Sequence, residues 1–301
     1  MPIHTAIRRS MFHATIRAGS WLRLIFAPQR RRSPLYRSSA LDDLLFGQPI
    51  NIPVRLIREF FAKRNPSQPG VTVVLVNYNT GNLLRHVIPA VRKNSPPSTQ
   101  ILVLDNASTD GTWEWLKRLP FKIKLVRLPV NIGHGRALDL GIAMARTELV
   151  VTLDADAFPI NGDWLSQLES LLQGGNLSAV GAWGRRDRLH PALSMHRRST
   201  ILSLNLSFHN FEPYKDRATE PVFGVNCFDT GELISRELGS RRVRLLPVRT
   251  HSNGWGEEIG DIAYHHRGMT GYDAADPAER EVILRQRLES WESAVDEFLS
   301  S

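Results

Sequence analysis

The stretch LVVTLDADAFP, residues 149–159, runs from β-branched apolar residues straight into two aspartates separated by one alanine. Its unbroken apolar part predicts a strand covered on both faces, the kind found in mostly parallel sheets flanked by helices. Residues i and i+2 of an extended segment point to the same side, so Asp154 and Asp156 are expected to face one rim together. Two carboxylates held close repel unless one is protonated or a cation lies between them. Mg2+ and Mn2+ prefer hard oxygen ligands, and Mg2+ often takes only one or two carboxylates, completing its shell with water and substrate phosphates. The pair therefore points to a divalent cation, Mn2+ or Mg2+, and to a substrate carrying a diphosphate.

Working outward, VTVVLVNY (71–78), ILVLDN (101–106), KLVRL (124–128) and SAVGAWG (178–184) read as further strands. Between them lie helical patterns. Thr80 is placed to cap a helix with a stripe of Leu83, Leu84, Val87, Ile88 and Val91. STDGTWEWLKRL predicts a short helix packing Trp113 and Leu116, the glycine loop NIGHG leads into the helix RALDLGIAMAR, and residues 164–172 form another. Strands alternating with helices imply βαβ crossovers and a mostly parallel α/β sheet with helices on both faces. Ligands of such sheets bind beyond the carboxyl ends of the strands. Those ends carry Asn77, Tyr78 and Asn79, then Asp105 and Asn106, then Asp154 and Asp156.

The formal charge of +8 in 301 residues suggests nucleic acid until it is mapped. Residues 1–40 hold eight arginines and no acid, so the rest of the chain is neutral. That neutrality, with no RNA-binding motif, argues against a nucleic-acid partner. The basic segment, with Trp21, Leu22, Leu24, Ile25 and Phe26, suits peripheral contact with an anionic membrane, and reads equally as a solvated arm. No run of 18 apolar residues is present. The single cysteine, Cys227, forms no internal disulfide and reads as a core residue in a reducing, cytoplasmic setting. A P-loop, GxxxxGK[ST], is absent, and GHGRAL lacks the third glycine of a dinucleotide fingerprint and follows the third strand. The expected organisation is a basic extension over 1–65, an α/β domain over 66–275 and a C-terminal amphipathic helix over 276–301. In that helix Asp276 serves as cap and Pro277 as first residue, and the stripe is Leu284, Leu288, Trp291, Val295 and Phe298.

Taken in order, VVLVNYNT, ILVLDNASTDGT, NIGHGRALDLGIAMA and LDAD resemble the motifs of the family 2 glycosyltransferases of the GT-A fold, over about residues 71–160. The resemblance implies a metal-dependent, inverting transferase that uses a nucleoside diphosphate sugar, a UDP-sugar first, and a glycan, lipid-linked or small-molecule acceptor. It places Asn77, Tyr78, Asn79, Asp105, Asn106, Gly133, Arg136, Asp154 and Ala155 at the nucleotide and sugar. Asp105 would read the base, Asp154 would face the ribose or sugar, and Asp156 would ligate the metal together with a late histidine, His266 or its neighbour His265. Asp139 stands where the family commonly has Asn.

Inversion requires a carboxylate to take the acceptor's proton. In FDTGELISRELGSRRVRLLPV the family's order implies Asp229, with Glu232 of the same stretch and Glu258 of the later GWGEEIGD as alternatives. Asp229 also reads as a helix N-cap with Glu232 closing a capping box. Glycines in GWGEEIGD suggest a flexible loop carrying Glu257, Glu258 and Asp261, and RRDRLHPALSMHRRST reads as an irregular basic loop toward the acceptor. The departure from the family's usual acidic pair keeps open a nucleotide-sugar-binding module without catalysis.

Overall fold

The strand that carries LVVTL lies in the middle of a seven-stranded sheet. The computed structural model describes residues 51–184, 187–209, 230–267, 269 and 277–300. In chain order the main sheet contains β1 (Gln68–Asn77), β2 (Gln100–Asp105), β3 (Lys124–Arg127) and β4 (Thr147–Leu153). β5 (Ala157–Pro159) belongs to a second sheet, and β6 (Ala179–Trp183), β7 (Leu189–Arg197) and β8 (Val243–Leu246) complete the first. The order is β3-β2-β1-β4-β7-β6-β8. Only β7 runs against its neighbours; the other pairings are parallel. The mostly parallel α/β architecture expected from the alternation is thus present.

Both faces are covered because successive residues of a strand point to opposite sides. Val73 and Leu75 of β1 join one apolar cluster with the stripe of α2 (Gly81–Lys93) and with Trp164, Leu165 and Leu168 of α5 (Trp164–Gln173). Val74 and Val76 join the other with Ala137, Leu138 and Ile142 of α4 (His134–Met144). The short helix α3 (Thr112–Leu116) lies between β2 and β3 and buries Leu116.

Three elements depart from the sequence reading. Within the expected extension, residues 51–64 form a helix, α1 (Asn51–Arg64), with Pro53 in its first turn, where a missing N–H costs little. It docks on α4 and the 201–206 region, where buried Arg58 donates to the carbonyl of Leu206 at 2.6 Å and to Asn205 Oδ1. The region read as an irregular loop contains β7, buried nearly throughout. Its polar look comes from small or satisfied residues: Ser194 Oγ lies 2.8 Å from both Thr152 Oγ1 and His196 Nε2. Pro191 sits where the β6 ladder shifts register, a place that spares a proline its ladder bond.

The third departure is GWGEEIGD. β9 (Val248–Thr250), β10 (Gly256–Ile259), β11 (Ala263–His266) and β5 form a four-stranded antiparallel sheet in the order β5-β11-β10-β9. Gly256 is required there for space, since a Cβ would lie 2.1 Å from the Tyr264 hydroxyl. The remaining helices are α6 (Arg198–Ser203), α7 (Glu232–Leu238) and α8 (Pro277–Leu299). The last part of α8 buries Trp291, Ala294 and Val295. Phe158 of β5 stacks on Tyr264 at 5.2 Å and meets Trp291 edge-on at 5.4 Å, and burying each such ring contributes roughly 1.5–3 kcal/mol. The small sheet and the C-terminal helix are therefore one packed unit behind the aspartates. Among the described residues, no helix is long and apolar enough to cross a membrane.

Candidate active site

Asp154 and Asp156 are not the last residues of a strand. β4 stops at Leu153, and the Ala157 N–H returns to the Asp154 carbonyl at 3.1 Å, closing a turn between the two sheets. The expectation that they share a face by strand alternation is corrected accordingly, because pairing with β11 pulls the chain into the second sheet at Ala157. What gathers the site is this turn together with the strands that flank it. Asp154 retains some exposure, whereas Asp156 is buried.

Three histidines surround the pair. His134, the first residue of α4, places Nε2 3.1 Å from Asp154 Oδ1. His265 of β11 places Nε2 3.8 Å from Asp156 Oδ1, while its Nδ1 lies 3.2 Å from Glu257 Oε2. Glu257 and His265 are cross-strand partners, so they share a face, and Glu257 is held in turn by Arg267. His190 of β7 lies 5.3 Å ring to ring from His265, and its Nδ1 accepts the Ala192 N–H at 3.1 Å. Ligand atoms of Asp154, His190 and His265 all lie within 4.8 Å of one another. A carboxylate and two imidazoles at that spacing suit a divalent transition-metal cation. The Glu257 carboxylate is the kind of outer partner that fixes a ligating imidazole.

The electrostatics separate the two carboxyls. Burial pushes Asp154 upward, but the close contact and charge of His134, helped by His190 and His265, outweigh it and bring its pKa down to about 2. Burial lifts Asp156 to about 6; His265 pulls it down, and the charge of Asp154 adds to the rise. Neighbouring carboxyls driven apart in this way take different protonation states.

His266, chosen as the metal ligand on sequence grounds, faces elsewhere. Alternation along β11 turns it to the side of Tyr264 and Trp291, its ring 6.0 Å from Trp291, and burial lowers its pKa to about 4. Only its backbone reaches the site, through an N–H to the Asp156 carbonyl at 2.8 Å. The alternative, His265, joins the cluster.

The polar ends of β1 and β2 form a fastened network. Asn77 is fully buried: Nδ2 donates to Asp105 Oδ1 and Ser108 Oγ, each at 2.8 Å, and Oδ1 accepts from the Thr80 N–H and hydroxyl. Thr80 is the N-cap residue of α2, as expected, but its hydroxyl turns back to Asn77 and makes no cap bond, and the Gly81 N–H is taken by Asp110 Oδ2 at 3.0 Å. Asn79 adopts a left-handed φ of 56° and accepts the Thr109 N–H at 2.8 Å. Asn106 is likewise consumed, donating to Asn131 Oδ1 and accepting from the Ile132 N–H. Asp105 is buried with Arg127 Nε 3.4 Å from Oδ2, an oxygen without a hydrogen bond among the described residues. Tyr78 is exposed at this end. Gly133 holds φ 88° at the start of α4, and Arg136, beneath it, donates to the Ile132 carbonyl at 3.0 Å. Ala155 is buried in the turn between the aspartates.

Asp139 faces inward from α4, where Oδ2 accepts the Ser207 hydroxyl at 2.5 Å and Oδ1 the Phe208 N–H at 2.9 Å. Asp229 lies outside the described residues, as do Cys227 and Asp276. The capping-box reading is corrected nonetheless: α7 begins at Glu232 with Gly231 as its N-cap, φ 83°, so Glu232 is the first helical residue and not the third. Glu232 is buried. Glu258 pairs with Arg249 at 3.4 Å and lies across from Tyr264, on the face of β10 opposite Glu257. Sequence reasoning missed His134 and His190. Neither carries a local signal, since His134 opens α4 from a stretch read as a glycine loop and His190 lies on a strand read as a loop.

The model of glycosyl transferase family 2 matches residues 72–233, more than half of the chain. An uncharacterized glycosyltransferase of Nostoc sp. is 33% identical over 90 residues, covering 29% of this chain and 28% of that protein. A dolichyl-phosphate beta-glucosyltransferase of Trichomonas vaginalis is 24% identical over 241 residues, covering 68% of this chain and 69% of that one. The solved mannosyltransferase PcManGT of Pyrobaculum calidifontis, in complex with GDP-Man and Mn2+, is 25% identical with a TM-score of 0.42, over 52% of this chain and 56% of that chain. The chain spans 28%, 27% and 44% of the lengths of the first curated relatives it matches.

Proposed function

Since the chain belongs to glycosyl transferase family 2, we propose that it is a glycosyltransferase, metal-dependent and inverting, that takes its sugar from a nucleoside diphosphate donor. The observation that carries this reading is the convergence of Asp154, His190 and His265 within 4.8 Å, with Asp156 beside His265. Asp154, His190 and His265 are the ligands, Asp156, the ligand the family resemblance implies, stands beside His265, and Glu257 orients His265. The imidazoles favour Mn2+ over Mg2+, which prefers an all-oxygen shell. When bound, the cation supplies charge stabilisation to the departing diphosphate.

The chain's own residues do the rest. Tyr78 offers a ring to the base, and Asp105 Oδ2 accepts a base N–H, while Asn77 and Asn106 hold that wall in shape. The base that receives the acceptor's proton is Asp229, three residues ahead of α7 in the sequence. Glu258 is engaged by Arg249, and Glu232 is buried at the helix start. UDP is the first nucleotide to test, and the acceptor is a hydroxyl of a glycan, a lipid-linked sugar or a small molecule.

The test is release of nucleoside diphosphate from a panel of UDP- and GDP-sugars by the full chain, with Mn2+, Mg2+ or EDTA. Turnover is expected with one donor, highest in Mn2+, abolished by EDTA and lost in Asp154→Asn and His265→Ala. Turnover that persists in EDTA would sink the metal assignment.

A further inference from the structure

A second cleft lies at the opposite end of the main sheet. β7 runs antiparallel to β4, so Arg197 pairs with Leu149 while Leu193 pairs with Leu153. Arg197 is thus about four strand residues, roughly 13 Å, behind the end of β4 that leads to the aspartates. There, the residues before β6, the end of β7 and the turn before β8 border an open cleft of about 990 Å3. Three arginines line it, Arg197, Arg241 and Arg242, together with the polar side chains of Asn176, Ser178 and Thr200, and among the described residues no acidic one does.

The frame is fixed by backbone bonds. Ser178 donates its N–H to the Arg242 carbonyl at 2.8 Å and accepts the Arg197 N–H at 3.0 Å, so both arginines are anchored to one residue. Among the described residues their guanidinia find only neutral partners. Arg197 donates Nε to the Leu177 carbonyl and Nη2 to the Leu172 carbonyl, and Arg242 donates Nε to Ser178 Oγ. Arg241 is exposed and makes no hydrogen bond or ion pair among the described residues. Three guanidinia around one concavity with no carboxylate leave a positive field and several N–H donors unspent. Guanidinium forks match the paired oxygens of phosphate groups, and a cleft of this size holds an organic molecule and not only a bare ion.

We propose that this cleft is a second binding site of the enzyme, for a phosphate-bearing compound, separate from the transfer site at the aspartates. The phosphate belongs either to a soluble phosphorylated compound or to a phospholipid headgroup.

The experiment uses the full chain in EDTA, which empties the front site of cation, at constant ionic strength, with pyrophosphate titrated by calorimetry. Wild type is expected to bind, and R241Q/R242Q to bind at least about tenfold more weakly, with unchanged thermal unfolding and unchanged donor turnover in Mn2+. Equal pyrophosphate affinity in the two proteins, or no binding by wild type at millimolar concentration, overturns the proposal. Co-sedimentation with phosphatidic acid vesicles, compared with phosphatidylcholine, separates the sources. A drop in the variant assigns the site to a lipid headgroup, and equal sedimentation beside weakened pyrophosphate binding assigns it to a soluble compound. Because binding is read without metal or donor, failure of this site and failure of the transferase assignment remain distinguishable.

Discussion

Replacing Asp139 by Asn, the residue the family resemblance implies at this position, is expected from the structure to destabilise the protein. The Asp139 carboxylate is fully buried and accepts two hydrogen bonds, from the Ser207 hydroxyl at 2.5 Å and the Phe208 N–H at 2.9 Å. Ser207 Oγ already accepts the His209 N–H at 3.0 Å. In Asp139→Asn the amide oxygen still serves Phe208, but the amide NH2 meets Ser207, whose hydroxyl proton then loses its acceptor. Losing one charge-assisted bond and stranding a buried donor costs about 1–3 kcal/mol. For a domain of this size that lowers Tm by roughly 2–4 °C per kcal/mol, so a fall of about 2–12 °C is expected. Asp139→Ala strands both donors and should fall further. Thermal and urea unfolding of both variants in EDTA provide the measurement. An Asn variant as stable as wild type would refute the account of Asp139 as the anchor of residues 207–209.

Two other outcomes follow from the same geometry. His196 and His209 are held neutral by burial at about 3, with Arg136 adding to the effect on His209, and His266 is held at about 4, whereas Asp156 is lifted to about 6. Below about pH 6.5 the unfolded chain protonates its histidines and the folded chain does not, so their stabilisation is present above that pH and lost as pH falls. Proton uptake by folded Asp156 offsets about one histidine, leaving a net loss of roughly 2–3 kcal/mol per pH unit between about pH 6 and 4.5. Urea midpoints that stay level across that window contradict it. Glu257→Gln weakens the orientation of His265 and should reduce Mn2+ affinity by about 10–100-fold, read by electron paramagnetic resonance of free Mn2+. Unchanged Mn2+ affinity would remove Glu257 from the site.

Much of the scaffold is local in origin and therefore legible. Val73 to Val76 and Ile101 to Leu104 are unbroken apolar runs, and Leu149 to Leu153 is interrupted only by the β-branched Thr152; a sheet covered on both faces accommodates all three. The helix of residues 81–93 announced itself by its stripe, and its position followed. β7 did not, because a strand built of Ala192, Ser194 and His196 draws its stability from neighbours across the ladder and from Thr152, not from its own composition. The small sheet was hidden for a related reason: Glu257 and Glu258 look like loop residues until their partners His265 and Tyr264, several residues later, are paired with them.

The sequence by itself determined the α/β class and the polar residues at or just beyond the ends of the first, second and fourth strands, the two aspartates among them, since periodicity and residue type act over a few neighbours. Tertiary structure decided which histidine joins them. One step along β11 reverses a side chain, so His265 meets Asp156 while its neighbour His266 packs against Trp291. That choice, like the arrival of His134 from α4 and His190 from β7, depends on strand register and helix placement between segments far apart in the chain.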